Sequence, residues 1–209
     1  MVVFDLDNTL FKTPLFKQDI YKVFIAHGID PEVFWKTFYL SYDIEPQSKG
    51  CYSLQKHFSI LNVDSPIVKQ EISSKVTENV YTRGREYLYV DVLPTILELK
   101  RRDEKVVLLT KGDKESQELK LDATHIREYF DEIKIVSDNK LPVLKELSQK
   151  NKVLVNINNH PDELRVCSSK IPQIICFLIK RSDYPIGDST FSPSVENLSE
   201  IIDKLKHKT

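Results

Sequence analysis

Two carboxylates separated by a single residue, Asp5 and Asp7, stand at the end of the apolar run Met1-Val2-Val3-Phe4. A run of that kind, without polar alternation, suits a strand buried on both faces. Alternate residues past its end project toward one side of the opening loop. Such a pair can divide a displacement between its members. One carboxylate attacks; the other gives a proton to the leaving oxygen and later takes one from water. An attack on a dianionic phosphate needs its charge cancelled, which a lysine and a magnesium ion would supply. Asp5-Leu6-Asp7-Asn8-Thr9 is also ordinary turn chemistry, so its reading depends on what accompanies it.

Its companions sit at other strand ends. A second apolar run, 105–109, ends in Thr110-Lys111-Gly112, a hydroxyl followed by a glycine turn whose backbone N–H groups could hold phosphate oxygens. Lys140 follows a third run, 133–136, after a short polar loop. A fourth, 152–157, leads into Asn158-Asn159-His160-Pro161-Asp162-Glu163, rich in oxygen donors for a hard cation. Taken singly, Thr110 is a helix cap, Lys140 a solvated charge and the asparagines a loop. Together, at four successive strand ends, they read as one site.

The elements that must position them follow a rhythm. A fifth apolar run covers 174–179, and helical patterns over 94–100, 114–120, 142–149 and 161–168 separate the runs. A closing amphipathic helix carries Val195, Leu198, Ile201, Ile202 and Leu205 on one face. Alternating strands and helices predict an α/β fold with a mostly parallel, Rossmann-like sheet covered on both sides, with ligands at the carboxyl ends of its strands. Residues 13–88 break the rhythm with four helical signals and no strand. Phe16, Ile20 and Phe24 precede Gly28; Asp30-Pro31 opens the second; Leu54, Phe58 and Leu61 mark the third; Ser65-Pro66 starts the fourth. The chain therefore divides into a core of 1–12 and 89–209 and an inserted helical cap of 13–88. Trp35, Tyr39, Tyr42 and Arg83 are the cap's candidates for facing a substrate, although aromatics at this spacing also fill a helical bundle.

Composition narrows the class. The 209 residues carry 30 basic and 31 acidic side chains, a formal net charge of −1, and no basic block. That balance argues against nucleic acid or a membrane surface as a partner. No apolar run approaches the roughly 20 residues of a membrane span, and no secretory signal is visible. Cys51, Cys167 and Cys176 are an odd, widely spaced set, read as small hydrophobes in a reducing cytoplasm. The histidines His27, His57, His125, His160 and His207 are scattered, and only His160 falls near the site, as a loop residue.

Phe4-Asp5-Leu6-Asp7-Asn8-Thr9-Leu10 closely resembles the first motif of the haloacid dehalogenase superfamily. Leu108-Leu109-Thr110-Lys111-Gly112 resembles its second motif, and Lys140 falls where its third-motif lysine stands. The helical insertion matches the cap position of the C1 subgroup. The resemblance implies a sheet order of 5-4-1-2-3 and an aspartyl-phosphate on Asp5, with Asp7 as general acid and base. It implies Thr110 at the transferring phosphoryl group, with Lys111, Gly112 and Lys140 completing its seat. Magnesium would be held by the Asp5 carboxylate, the Asp7 backbone carbonyl and a fourth-motif side chain. Most members carry an acid at that last position. Here Asn159 stands there, so a weaker hold on magnesium is expected, with Asp162 or Glu163 available to compensate. Dehalogenating members lack the second aspartate, because a halide leaves without a proton; Asp7 thus favours a small phosphate ester as substrate. A phosphate-binding or regulatory protein with an impaired metal site, and a phosphomutase or phosphotransferase, are the other readings. Receiver domains share the residue types but not the insertion or the order.

Overall fold

The computed structural model describes residues 1–41, 51–151, 153–185 and 190–206; Tyr42, Lys152 and His207 lie outside them. Five parallel strands form the sheet's body: β1 (Val2–Phe4), β2 (Val106–Lys111), β3 (Glu132–Val136), β4 (Leu154–Asn158) and β5 (Ile174–Ile179). A sixth, β6 (Ser194–Val195), joins them in the order β3-β2-β1-β4-β5-β6. Read from the other edge, this is the expected 5-4-1-2-3 with one strand added. Val195, expected on the closing helix, instead pairs with Ile179, and helix α9 begins only at Ser199. Two residues are too few to show a period, which is why that strand left no signal.

Helices α5 (Val92–Arg101), α6 (Lys114–Thr124), α7 (Leu141–Lys150), α8 (Pro161–Lys170) and α9 (Ser199–Lys206) flank the sheet. Successive strand residues point to opposite faces, and the burial follows that rule. Val3, Val107, Leu109 and Leu178 meet Leu144 of α7 and Leu164 of α8. Phe4, Leu108, Ile157 and Phe177 face the other way, toward Ile96 of α5 and Ile201 of α9. All of these are essentially inaccessible to solvent, as a strand run without polar alternation requires. Cys167 and Cys176 belong to the first cluster and are free thiols. No helix of the described residues is long and apolar enough to cross a membrane.

Between β1 and β2 run α1 (Thr13–Ala26), α2 (Pro31–Leu40), α3 (Leu54–Ile60) and α4 (Pro66–Arg83). Their starts are capped as the sequence suggests. The Asp30 carboxylate accepts from the N–H groups of Glu32 and Val33, and the Ser53 and Ser65 hydroxyls accept from Lys56 and Val68. Gly28, after α1, adopts φ +81°, a left-handed conformation that suits glycine. Phe24, Phe34 and Phe38 pack around His57, which is wholly buried, and Phe58 stacks on Phe24. Because the Thr37 hydroxyl donates to the Val33 carbonyl at 2.7 Å, it accepts from the His57 Nε2–H at 2.9 Å, which leaves Nδ1 to accept from the Tyr52 hydroxyl at 3.1 Å. Burial pushes the His57 pKa down to about 4.

The insertion leaves and rejoins the sheet through one short ladder. Phe11 bridges Leu88 in antiparallel fashion, the Lys12 N–H donates to Tyr87 at 2.7 Å, and the Tyr89 N–H donates to Leu10 at 3.1 Å.

Candidate active site

The loop after β1 folds back on itself. The N–H groups of Thr9, Leu10 and Phe11 all converge on the Leu6 carbonyl, and Asn8 takes φ 55°, which asparagine tolerates. This turn leaves Asp5 and Asp7 on the same cavity, about 300 Å³ in volume, at the carboxyl ends of the strands. Lys111, Gly112, Lys140, Asn158, Asn159, His160 and Glu163 line it from the other strand ends.

Asp5 is buried, and its Oδ1 accepts from the Lys140 ammonium at 2.6 Å. The Thr9 hydroxyl donates to Oδ2 at 3.3 Å. Burial raises the Asp5 pKa, with Lys140 pulling the other way. Burial alone would lower Lys140, but the carboxylates of Asp5 and Glu163 outweigh it and hold the ammonium above its ordinary range. Glu163 lies 3.4 Å from Lys140 and accepts from the Asn158 amide at 2.8 Å. It serves as the lysine's second counter-charge. Asp162, by contrast, pairs with Arg165 on the surface.

Asp7 is held by residues that the sequence reading did not include. The Lys120 ammonium donates to both its oxygens, at 2.7 and 2.9 Å. The Thr13 hydroxyl and the Gln117 amide add donations at 2.6 and 3.0 Å. Burial works to raise this carboxyl; Lys120, Thr13 and Gln117 prevail and hold it below the usual range. A signal for them existed in α6. Gln117, Lys120, Leu121 and Thr124 recur at helical spacing on a face that proves buried, and three of the four are polar.

The second-motif segment departs from expectation. β2 extends through Lys111, and the Gly112 N–H donates to the Val136 carbonyl at 3.0 Å, continuing the ladder rather than facing the cavity. Gly112 serves another purpose. A Cβ there would stand 2.8 and 2.9 Å from Gln117 Cγ and Cδ, so its absence admits the side chain that reaches Asp7. Thr110 is fully buried beneath this pair, its hydroxyl donating to Gln117 Oε1 at 3.2 Å.

Asn159 lies against three oxygens. With its NH₂ turned toward them, it donates to the Asp7 carbonyl at 3.1 Å and to Asp5 Oδ2 and Asn158 Oδ1 at 3.3 Å each. Turned the other way, its own oxygen would join a set of four, the donor chemistry of a hard divalent cation. The residues present therefore fit magnesium. Among the described residues, no three His, Cys, Asp or Glu side chains gather as a metal cluster, because this set is built mainly from amides and a backbone carbonyl.

Of the cap candidates, none among the described residues reaches the cavity. Trp35 stacks on Tyr21 at 5.4 Å, Tyr39 is largely exposed, and Arg83 pairs with Asp19 and Glu86. The cap side is lined instead by Thr13, Phe16, Lys17, Ile20, Phe38 and the Cys51-Tyr52 segment.

One further ion pair supports the site from below. Arg181, just past β5, donates to both oxygens of Asp91 at 2.7 and 3.1 Å and twice to the Thr9 carbonyl, at 3.1 and 2.7 Å. The Leu198 N–H also donates to Asp91 at 2.8 Å, and the Tyr89 ring lies 3.9 Å from the guanidinium.

A parallel sheet of this order, with paired aspartates after β1 and a lysine after β3, defines a class. The model of the haloacid dehalogenase-like hydrolases matches residues 1–155, and the chain belongs to that family. No curated protein matches it. Among solved structures it resembles one assigned to the same hydrolases, from Burkholderia xenovorans, with a TM-score of 0.78 and 16% identity over 99% of this chain and 96% of that one. CbbY from Rhodobacter sphaeroides, solved with phosphate, gives a TM-score of 0.61 at 16% identity, covering 96% and 95%. A dehalogenase solved with an intermediate complex gives 0.60 at 18%, covering 97% and 95%. At such identities the likeness is one of fold.

Proposed function

We propose that the chain is a magnesium-dependent phosphatase that hydrolyses a small phosphorylated metabolite through a phosphorylated Asp5. Because the fold is shared with dehalogenases, one observation carries the choice: a second carboxylate, Asp7, opens on the same cavity as Asp5, held by Lys120, Thr13 and Gln117. A leaving group that needs a proton gives this carboxylate a role beyond its ion pair with Lys120.

In this reading an Asp5 oxygen attacks phosphorus while the ester P–O bond breaks, and Asp7 protonates the departing oxygen. Asp7 then takes a proton from water, which attacks the phosphorylated Asp5 and releases inorganic phosphate and free carboxylate. Lys140 neutralises nucleophile and phosphoryl oxygens, with Lys111 beside it. The Thr110 hydroxyl joins them by exchanging Gln117 for a phosphoryl oxygen. The Asp5 carboxylate, the Asp7 carbonyl and Asn159 would hold magnesium, which when bound supplies positive charge against the phosphate. Residues 13–88 act as the cap that closes this cavity over a substrate, and 1–12 with 89–209 as the catalytic core. A cavity of about 300 Å³ suits a metabolite-sized ester.

The test is phosphate release from an aryl phosphate, with magnesium and with chelator, beside Asp5→Asn. Magnesium-dependent release that disappears in the variant supports the reading. Equal release by both proteins removes Asp5 as nucleophile.

A further inference from the structure

A second cavity, of about 310 Å³, shares Lys111, Lys140, Asn158 and Glu163 with the first but opens between α7 and α8. Strand alternation puts Lys111 and Asn156 on the same sheet face as Val3, Val107 and Leu109, the face those helices cover. Leu141, Leu144, Val166 and Cys167 give the cavity an apolar wall. Asn156 lines it too, although only 4% exposed, and its Nδ2 has no hydrogen-bond partner. The sulfur of Cys176, opposite it on β5, feels the amide but is a weak acceptor. A buried donor left in this state costs stability, and an apolar residue would suit the face better. Lys111 is a second unmatched donor: among the described residues its ammonium makes no hydrogen bond or ion pair. The nearby acids are engaged elsewhere. Asp162 pairs with Arg165, Glu163 with Lys140 and Asn158, and Asp138 is exposed to water.

We infer that this cavity is a second ligand site, built for a small monocarboxylate with an apolar body. A carboxylate brings two acceptor oxygens for the Asn156 amide and the Lys111 ammonium, and its hydrocarbon part covers the wall of Leu141, Leu144 and Val166. An inorganic anion would answer the donors and leave that wall wet. Because Lys111 lines both cavities, a carboxylate seated on it weakens its hold on an anion in the first. The site does not depend on which reaction Asp5 performs.

Calorimetry on the full chain with isovalerate and phenylacetate, beside the corresponding neutral amides, tests the site. One or both acids should bind about ten- to a hundredfold more tightly than the matching amide, the worth of one charge-assisted hydrogen bond. Asn156→Leu should weaken the acids by about tenfold or more while keeping or raising the melting temperature, since it replaces an unpartnered donor with an apolar side chain. Val166→Trp fills the cavity from an exposed position on α8 and should weaken them likewise, so the result does not hang on how Asn156→Leu folds. Asp5→Asn alters the first cavity alone and should bind the acids as the parent does. Three results overturn the inference: neither acid binds at about 10 mM, acid and amide bind alike, or both cavity variants keep full affinity. Loss of binding in Asp5→Asn also overturns it, by placing the acid in the first cavity.

Discussion

Two buried carboxylate–cation pairs lie within one loop of each other, and they are built differently. Around Asp91 and Arg181 both carboxylate oxygens and three guanidinium nitrogens have partners, and an aromatic ring covers the plane. Around Asp5 and Lys140 the lysine is shared with Glu163, and Asp5 Oδ2 has a long contact from Thr9 and the amide of Asn159 beside it. The first pair is complete within the protein and fixes the Thr9 carbonyl. The second keeps an oxygen directed at a cavity. Equal charge and burial thus serve two ends, and what separates them is how fully each group is satisfied.

The largest effect should come from Asp5→Asn, which should lower turnover by about a thousandfold or more. Its melting temperature should move little, because Lys140 keeps Glu163 as a partner. Arg181→Met should do the reverse in kind, costing about 3–5 kcal/mol of stability by leaving Asp91 buried and unpaired. Denaturant titration reads this, and the double variant with Asp91→Leu should recover much of the loss. A stable Arg181→Met protein would break the distinction between the pairs.

His57 supplies a third case, a buried group satisfied without charge. With its pKa at about 4, the folded chain refuses a proton that the unfolded chain accepts near pH 6.5. The His57 contribution to stability should therefore fall as pH drops from 6.5 to 4, by on the order of 3 kcal/mol, and level off below. His57→Gln should flatten that slope in a series of denaturant titrations. The smallest effect concerns Asn159→Asp. Magnesium should bind about tenfold more tightly, and the variant should melt below the parent in chelator yet gain more from added magnesium. Unchanged magnesium affinity would remove Asn159 from the ligand set.

Much of this was legible in the sequence. Apolar runs without alternation gave the five long strands, and the residues at their ends, Asp5, Asp7, Lys111, Lys140 and Asn159, do meet at one cavity. What escaped were side chains whose importance depends on where a helix or loop happens to pass. Lys120 and Gln117 share a helical stripe with Leu121 and Thr124, but only α6 laid against Asp7 shows what that stripe meets. Arg181 follows a strand, as many solvated arginines do, and its partners Asp91 and Thr9 are 90 and 172 residues away. Gly112 illustrates the converse. A glycine beside a phosphate-binding motif suggests backbone donors, yet here the missing side chain matters and the N–H serves the sheet.

The ladder between Phe11 and Leu88 also bears on how the chain folds. β1 must find β2 across about a hundred residues, Val2 against Val106, a separation that slows folding when the intervening chain is loose. Once the four inserted helices collapse and this ladder closes, the search shortens to the few residues before Phe11 and those between Leu88 and Val106. To the sheet, the whole insertion then behaves as a tight turn. The order of events expected from this is insertion first and central strand pair second, with the nucleophile loop settling only after both.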